Sequence, residues 1–74
     1  MAILRIRRVA QNRYALWEYD PVLSVNLGEM SEETLEGHLL CRDLVNYTAF
    51  DVLHFLEVHN EINVKFRASL WSGE

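Results

Sequence analysis

The chain has little of what cross-links or interrupts a polypeptide, with one cysteine, one proline and three glycines in 74 residues. A lone cysteine, Cys41, cannot form an internal disulfide, which small secreted domains use to compensate for a small core. No apolar run reaches the length of a signal peptide or a membrane span. We therefore expect a cytoplasmic protein with no membrane contact.

The chain is also short, which excludes a second hydrophobic core and predicts one domain over residues 1–74. Half of the residues are apolar and 24% are charged, as in an ordinary globular domain. A domain of this size buries only about 60% of the surface of its unfolded chain, so its stability margin is thin. A partner or a second copy, as in a homodimer, would cover more apolar area.

Residues that could bind a metal are few. His38 and Cys41 are three apart and would share a helix face, with His54 or His59 as a third ligand. His54 and His59 diverge around a helix, and the sequence has no C-x-x-C or H-x-x-x-H pair. We therefore expect no metal and no cofactor, and interpret Cys41 as a small buried apolar residue.

Catalytic groupings are equally scarce. Glu29, Glu32, Glu33 and Glu36 crowd where a helix begins, and solvated acids are expected there in any case. The three glycines are isolated, so no glycine-rich phosphate loop exists. We expect no enzyme activity and assign no catalytic residue.

Hydrophobic periodicity predicts strands at the beginning of the chain. Residues 3–9 and 14–19 are rich in β-branched and aromatic side chains, and the polar segment between them has hairpin length. Asn12 in that segment tolerates a left-handed conformation. Residues 22–27 alternate again after Pro21 and predict a short third strand at an edge, although its existence is left open.

Two helix starts follow. Ser31 is a predicted N-cap, and the helix is expected to run to about residue 44. Thr48 begins a second helix, with Asp51 completing a capping box and Asn60 ending it in a left-handed conformation. The first helix is expected to bury Leu35, Leu39, Leu40 and Leu44.

Residues 62–71 alternate apolar and polar side chains, which is typical of a strand with one wet side. The predicted fold class is α+β. It comprises an antiparallel sheet of three to four strands, in the order β-β-(β)-α-α-β, with two helices packed on one side.

Charge is unevenly distributed. If Leu4 and Ile6 point into the core, Arg5 and Arg7 lie on the uncovered side of the sheet. Lys65 and Arg67 of the last strand are expected on that same side. Tyr14, Leu16 and Trp71 are expected nearby, which would combine cations with apolar contact area.

Three interpretations of that side remain. The cations could merely solvate an open sheet, or they could guide a larger protein or a phosphate backbone to it. A net charge of −4 and a pI of about 5.3 favour a protein partner over nucleic acid. The basic side could also complement the acidic helix start of a second copy.

We therefore interpret the chain as a non-catalytic interaction protein, such as a regulator or inhibitor that docks on a larger protein and occludes it. A phage or mobile-element origin would suit its size. A nucleic-acid-binding module is the alternative. The candidate partner-binding residues are Arg5, Arg7, Lys65, Arg67, Trp71 and Tyr14.

Overall fold

The computed structural model describes residues 1–20 and 22–67, which form five strands and two helices. In chain order these are β1 (Ala2–Ala10), β2 (Arg13–Tyr19), β3 (Ser24–Met30), α1 (Glu32–Leu40), β4 (Asp43–Leu44), α2 (Ala49–Val58) and β5 (Glu61–Arg67). The predicted α+β class is confirmed. The sheet has five antiparallel strands in the order β3-β2-β1-β5-β4, which is more than the three to four expected. The predicted element order lacks β4, which lies between the two helices.

Strand β1 is the centre of the sheet, because it pairs with β2 on one side and with β5 on the other. Leu4 and Ile6 have no exposed surface. Ile6 lies opposite both Leu16 and Ile62, and Leu4 lies opposite Val64. Residues directly opposite in an antiparallel pair share a face, so these side chains form one apolar layer.

Both helices cover this layer. α1 lies over β2, and α2 packs against β5 and α1. Together the helices and the sheet enclose one core. Its buried members are Ala2, Leu4, Ile6, Tyr14, Leu16, Met30, Leu35, Leu39, Val52, Leu56, Ile62, Val64 and Phe66.

The turn between β1 and β2 confirms the expectation for Asn12, whose φ of 55° is left-handed. Its side-chain Oδ1 accepts a hydrogen bond of 2.8 Å from the backbone N–H of Glu32. That N–H belongs to the first turn of α1, where backbone donors lack partners within the helix. Asn12 therefore shapes the hairpin and also caps the start of α1.

The third strand exists but lies further along the chain than residues 22–27. Val22 and Leu23 precede β3 and are 86% and 61% exposed. On β2, Leu16 pairs with Gly28 and Trp17 pairs with Asn26, so Leu27 is an extra residue that forms a β-bulge. The next residue, Gly28, has a φ of 91°, a backbone conformation that favours glycine. Because of the bulge, only the end of the predicted segment, Leu27, packs against the core.

Helix α1 begins as predicted, since the Ser31 hydroxyl accepts a hydrogen bond of 3.4 Å from the N–H of Thr34. It ends at Leu40 rather than near residue 44. The reason is long-range pairing, because Asp43 and Leu44 join the edge of β5 as β4. Leu40 is the last residue of the helix and is 68% exposed, which makes its predicted burial wrong.

Helix α2 has the predicted capping box. The Thr48 hydroxyl accepts from the N–H of Asp51, the Asp51 carboxylate accepts from the N–H of Thr48, and both bonds are 3.1 Å long. The helix ends at Val58, and its C-cap His59 is extended. Asn60 as a left-handed terminator is therefore wrong. Its carbonyl instead accepts a 2.7 Å hydrogen bond from the N–H of Arg8.

Strand β5 alternates buried and exposed side chains from Glu61 to Arg67, as its sequence pattern predicts. Its predicted continuation over residues 68–71, which includes Trp71, lies outside the described residues.

Leu4→Ala tests the central role of β1. Removing a fully buried leucine is expected to cost about 2–5 kcal/mol of unfolding free energy, through lost apolar transfer and a residual cavity. Urea unfolding followed by tryptophan fluorescence measures this.

Ile3→Ala is the matched control, because Ile3 is the preceding residue and is 37% exposed on the other side of the sheet. It is expected to cost about 1 kcal/mol or less. Equal costs for the two variants would contradict the placement of the core on one side.

Candidate interaction surface

The side of the sheet opposite the helices has no covering layer among the described residues. Strand pairing arranges its side chains in three rows that run across β3, β2, β1 and β5. The rows are Ser24, Tyr19, Ile3 and Lys65; then Asn26, Trp17, Arg5 and Asn63; then Glu29, Ala15, Arg7 and Glu61. We call these twelve positions the open face.

The middle of the open face is apolar and aromatic. Ile3 is 37% exposed, and Trp17 and Tyr19 are half-buried. The guanidinium of Arg5 lies over the Trp17 ring at 5.3 Å from its centroid. That distance is within the range of a cation–π interaction. Arg5 and Trp17 are therefore in contact at the centre of the open face.

Acidic residues from neighbouring strands neutralise much of the positive charge. Arg5 donates to the carboxylate of Glu61 at 2.6 Å. At the rim, Arg67 on β5 pairs with Asp43 on β4 at 3.0 Å, and Arg13 on β2 lies 4.0 Å from Glu29. The surface is therefore amphipathic more than basic.

Arg7 and Lys65 keep their charge available. Neither lies within 4.0 Å of a carboxylate in residues 1–20 and 22–67. Both are exposed, and they lie on opposite sides of the Arg5 row. The free positive charge thus flanks the aromatic centre.

The structure brings Arg5, Arg7, Lys65 and Arg67 to one side of the sheet, where the sequence pattern places them. Their role in binding stays a prediction. Trp71 lies outside the described residues, so its placement is not part of this surface.

Tyr14 does not belong to the open face, and its predicted position there is wrong. It is 6% exposed and lies opposite Arg8 and Met30 on the helix-covered side, where burial raises its pKa. Leu16 is buried on that side as well. Periodicity does not decide which side of β2 faces the core, because both of its sides carry aromatic residues.

Trp17 and Tyr19 are the residues that sequence reasoning missed. The turn does not reveal them, although its two residues, Gln11 and Asn12, pair Ala10 with Arg13. Extending that register along the strands would place Glu18 opposite Arg5, but a register shift between Arg8 and Ala10 places Trp17 there instead. A shift of one residue exchanges the two sides of a strand, and neither turn length nor periodicity predicts it.

Cys41 and His38 lie at the C-terminal end of α1. Cys41 is exposed, so its interpretation as a buried apolar residue is wrong. Arg42 Nη1 lies 3.2 Å from His38 Nδ1 and donates to the His38 carbonyl at 2.7 Å. Within the described part of the chain, no group of three or more His, Cys, Asp or Glu residues is placed to hold a metal ion.

Arg42 itself anchors the segment after α1. It makes a 2.7 Å ion pair with Glu18 of β2, and its side chain is 14% exposed. Its guanidinium also lies over the Phe66 ring at 5.4 Å. One side chain thus ties the end of α1 to both β2 and β5.

Two open grooves lie on the helix side. One of about 210 Å³ is lined by residues that include Leu40, Leu44 and Tyr47, and one of about 240 Å³ is lined by Thr34, Gly37, His38 and Cys41. Both are open to solvent, unlike the enclosed pockets that hold small molecules.

Comparison with known proteins gives no assignment, because no family model, curated protein or solved structure matches the chain. None of the described helices is both long and apolar enough to cross a membrane.

The contacts of His38 predict a pH response. Its pKa is lowered from 6.5, first by burial and then by the Arg42 cation, while Glu18 opposes the shift. The unfolded chain therefore takes up the proton first as the pH falls. The stability that neutral His38 contributes is present above about pH 6.5 and is lost as the pH falls through the lower folded-state pKa.

NMR titration of the His38 ring protons measures this pKa in two variants of opposite effect. Arg42→Gln removes the nearby cation and is expected to raise the titration midpoint. Glu18→Gln removes the nearby anion and is expected to lower it. Midpoints that do not move in either variant would refute the electrostatic contacts described for His38.

Proposed function

We propose that this chain is a small, non-catalytic protein-binding module that docks on a larger protein through its open face. Acting as a regulator or inhibitor in the cytoplasm, it occludes the surface that it covers.

The observation that supports this proposal is the composition and order of the open face. An aromatic and aliphatic centre of Ile3, Trp17 and Tyr19 is surrounded by polar side chains. Tryptophan, tyrosine and arginine are enriched among residues that dominate binding energy, and such residues cluster at the centre of an interface inside a polar rim. The Arg5–Trp17 contact also holds both side chains in place, so less conformational entropy is lost on binding.

The proposed partner presents an apolar patch with acidic residues at its edge. Arg7 and Lys65 flank the aromatic centre, and neither lies within 4.0 Å of a carboxylate among the described residues. Glu61 lies opposite Arg7 but pairs with Arg5, so Arg7 and Lys65 can pair with such acids. Charges at a rim mainly raise the rate of association and select the partner. The aromatic centre would supply most of the affinity.

Nucleic acid is the less favoured ligand. An open sheet with aromatic residues resembles the surfaces that stack RNA bases. However, Arg5 and Arg67 already pair with Glu61 and Asp43, and Glu29 adds further negative charge. Phosphate binding depends on several available cations, and few remain on this face.

Arg7→Glu/Lys65→Glu is the variant that tests the proposal. Both side chains are exposed, so the fold is expected to remain intact. Arg7→Glu is expected to cost up to about 1 kcal/mol, because the new carboxylate lies opposite Glu61, and Lys65→Glu within about 0.5 kcal/mol. Proteins recovered from the native host by the wild type and the variant are compared by mass spectrometry. The variant is expected to lose a partner that the wild type recovers, and to bind it in purified form about tenfold more weakly or worse.

Glu33→Lys/Glu36→Lys is the matched control, because it changes two exposed charges on the helix side. It is expected to retain the partner that Arg7→Glu/Lys65→Glu loses. Equal recovery of every partner by all three proteins would refute docking through the open face. A salt-dependent shift of labelled single-stranded RNA that Arg7→Glu/Lys65→Glu abolishes would favour the nucleic-acid alternative instead.

A further inference from the structure

The outer side of α2 carries a stripe of exposed apolar and aromatic residues. Phe50, His54 and Val58 follow one another at intervals of four, so they lie along one side of the helix. Phe50 is 74% exposed and Val58 is 73% exposed. The rings of Phe50 and His54 are nearly parallel, with centroids 6.1 Å apart. None of these three residues belongs to the core. The buried residues of α2 are Val52 and Leu56, which lie on its other side.

Phe50, the first residue of the stripe, directly follows Thr48 and Ala49, which line a groove between the end of α1 and the start of α2. This groove of about 210 Å³ is lined in part by Leu40 and Tyr47. Leu40 is 68% exposed and Tyr47 is 44% exposed. We call Leu40, Tyr47, Phe50, His54 and Val58 the helix-layer surface.

The charge around the helix-layer surface is negative. Between residues 30 and 60 the acidic residues other than Asp43, which pairs with Arg67, are Glu32, Glu33, Glu36, Asp51 and Glu57. The cations on this side are Arg42 and also Arg8 of β1, which donates to the Glu57 carbonyl and to Asn60 at the end of α2. Arg42 is paired with Glu18 and is largely buried. Glu32, Glu33 and Glu36 are exposed on α1, with no cation within 4.0 Å in the described ranges.

We infer that the helix-layer surface is a second docking site, and that it binds a basic amphipathic segment of another protein. The apolar side of that segment would pack on Phe50, Val58 and the groove at Leu40 and Tyr47. Its lysine or arginine side chains would pair with the glutamates of α1. Helical segments commonly bind other proteins in this way, with apolar residues three or four apart inserted into a groove.

Charge selects this occupant over others. Nucleic acid and anionic lipid are negatively charged, and so is the helix side. Electrostatic repulsion therefore disfavours the binding of either one to this surface. A second copy of the chain would place glutamates against glutamates if the two helix-layer surfaces met. This site is on the opposite side of the molecule from the open face, so it does not depend on the proposed function. With both sites, the chain would bridge two proteins.

A designed peptide provides the probe. It consists of leucine and lysine at helical spacing, is about 18 residues or five turns long, and carries a fluorescent label. Binding is measured by fluorescence anisotropy at physiological salt. The wild type is expected to bind it, and Phe50→Ser/Val58→Ser is expected to weaken binding about tenfold or more. Glu33→Lys/Glu36→Lys is expected to weaken it as well.

Val22→Ser/Leu23→Ser is the matched control, because it removes two comparably exposed apolar side chains at the turn before β3. Its affinity for the peptide is expected to equal that of the wild type. Equal affinity of the wild type and Phe50→Ser/Val58→Ser would overturn the inference.

Two further results would also overturn it. One is equal binding of a peptide in which glutamate replaces every lysine, since charge would then play no part. The other is self-association of the wild type in sedimentation that Phe50→Ser/Val58→Ser abolishes, because the surface would then belong to a second copy. The variant Arg7→Glu/Lys65→Glu changes only the open face. It is therefore expected to bind the peptide as tightly as the wild type does, even if it loses a protein partner.

Discussion

Burial of one side of β1 beneath both helices is the constraint on which the rest of the structure depends. Leu4 and Ile6 are completely enclosed, and β1 pairs along both of its edges. Successive side chains of a strand point to opposite sides of the sheet. Burying Leu4 and Ile6 on one side therefore places the alternate residues of β1 on the other side, away from the core. Arg5 and Arg7 are directed to the opposite side, and the registers of β2 and β5 carry that division across the sheet. The open face is thus a direct consequence of how the core is built.

Features that depend on neighbouring residues could be predicted from the sequence. The starts of both helices rest on hydrogen bonds within one turn, from the Thr34 N–H to the Ser31 hydroxyl and between Thr48 and Asp51. The alternation of β5 is also local, because it reflects a single side of the strand packing on the core. These patterns need no knowledge of the remaining chain.

Features that depend on distant residues could not be predicted in this way. Helix α1 stops early because Asp43 and Leu44 pair with Arg67 and Phe66. The helical pattern itself contains no sign of this competition. Tyr14 illustrates a related difficulty. When a strand has large side chains on both sides, its sequence does not show which side faces the core, and only its pairing with the neighbouring strand decides this.

The charged residues show the same contrast. Their side of the sheet follows from the local sequence pattern, whereas their ion-pair partners depend on the tertiary structure. Alternation brings four cations to one side, but it does not show which acids join them. Glu61 enters from the first residue of β5 and Asp43 from a strand of two residues. Their ion pairs convert an expected basic surface into an amphipathic one with an aromatic centre. Exposed ion pairs such as these contribute little to stability, and their main effect is on what the surface can bind.

The side chain of Asn12 connects two elements that are 20 residues apart along the chain. Its Oδ1 is positioned for the Glu32 amide because the chain reverses direction between β1 and β2 with Asn12 in a left-handed conformation. A hairpin that opened would leave this amide of α1 without its acceptor. Opening of the hairpin and fraying of the first turn of α1 are thus coupled through one asparagine.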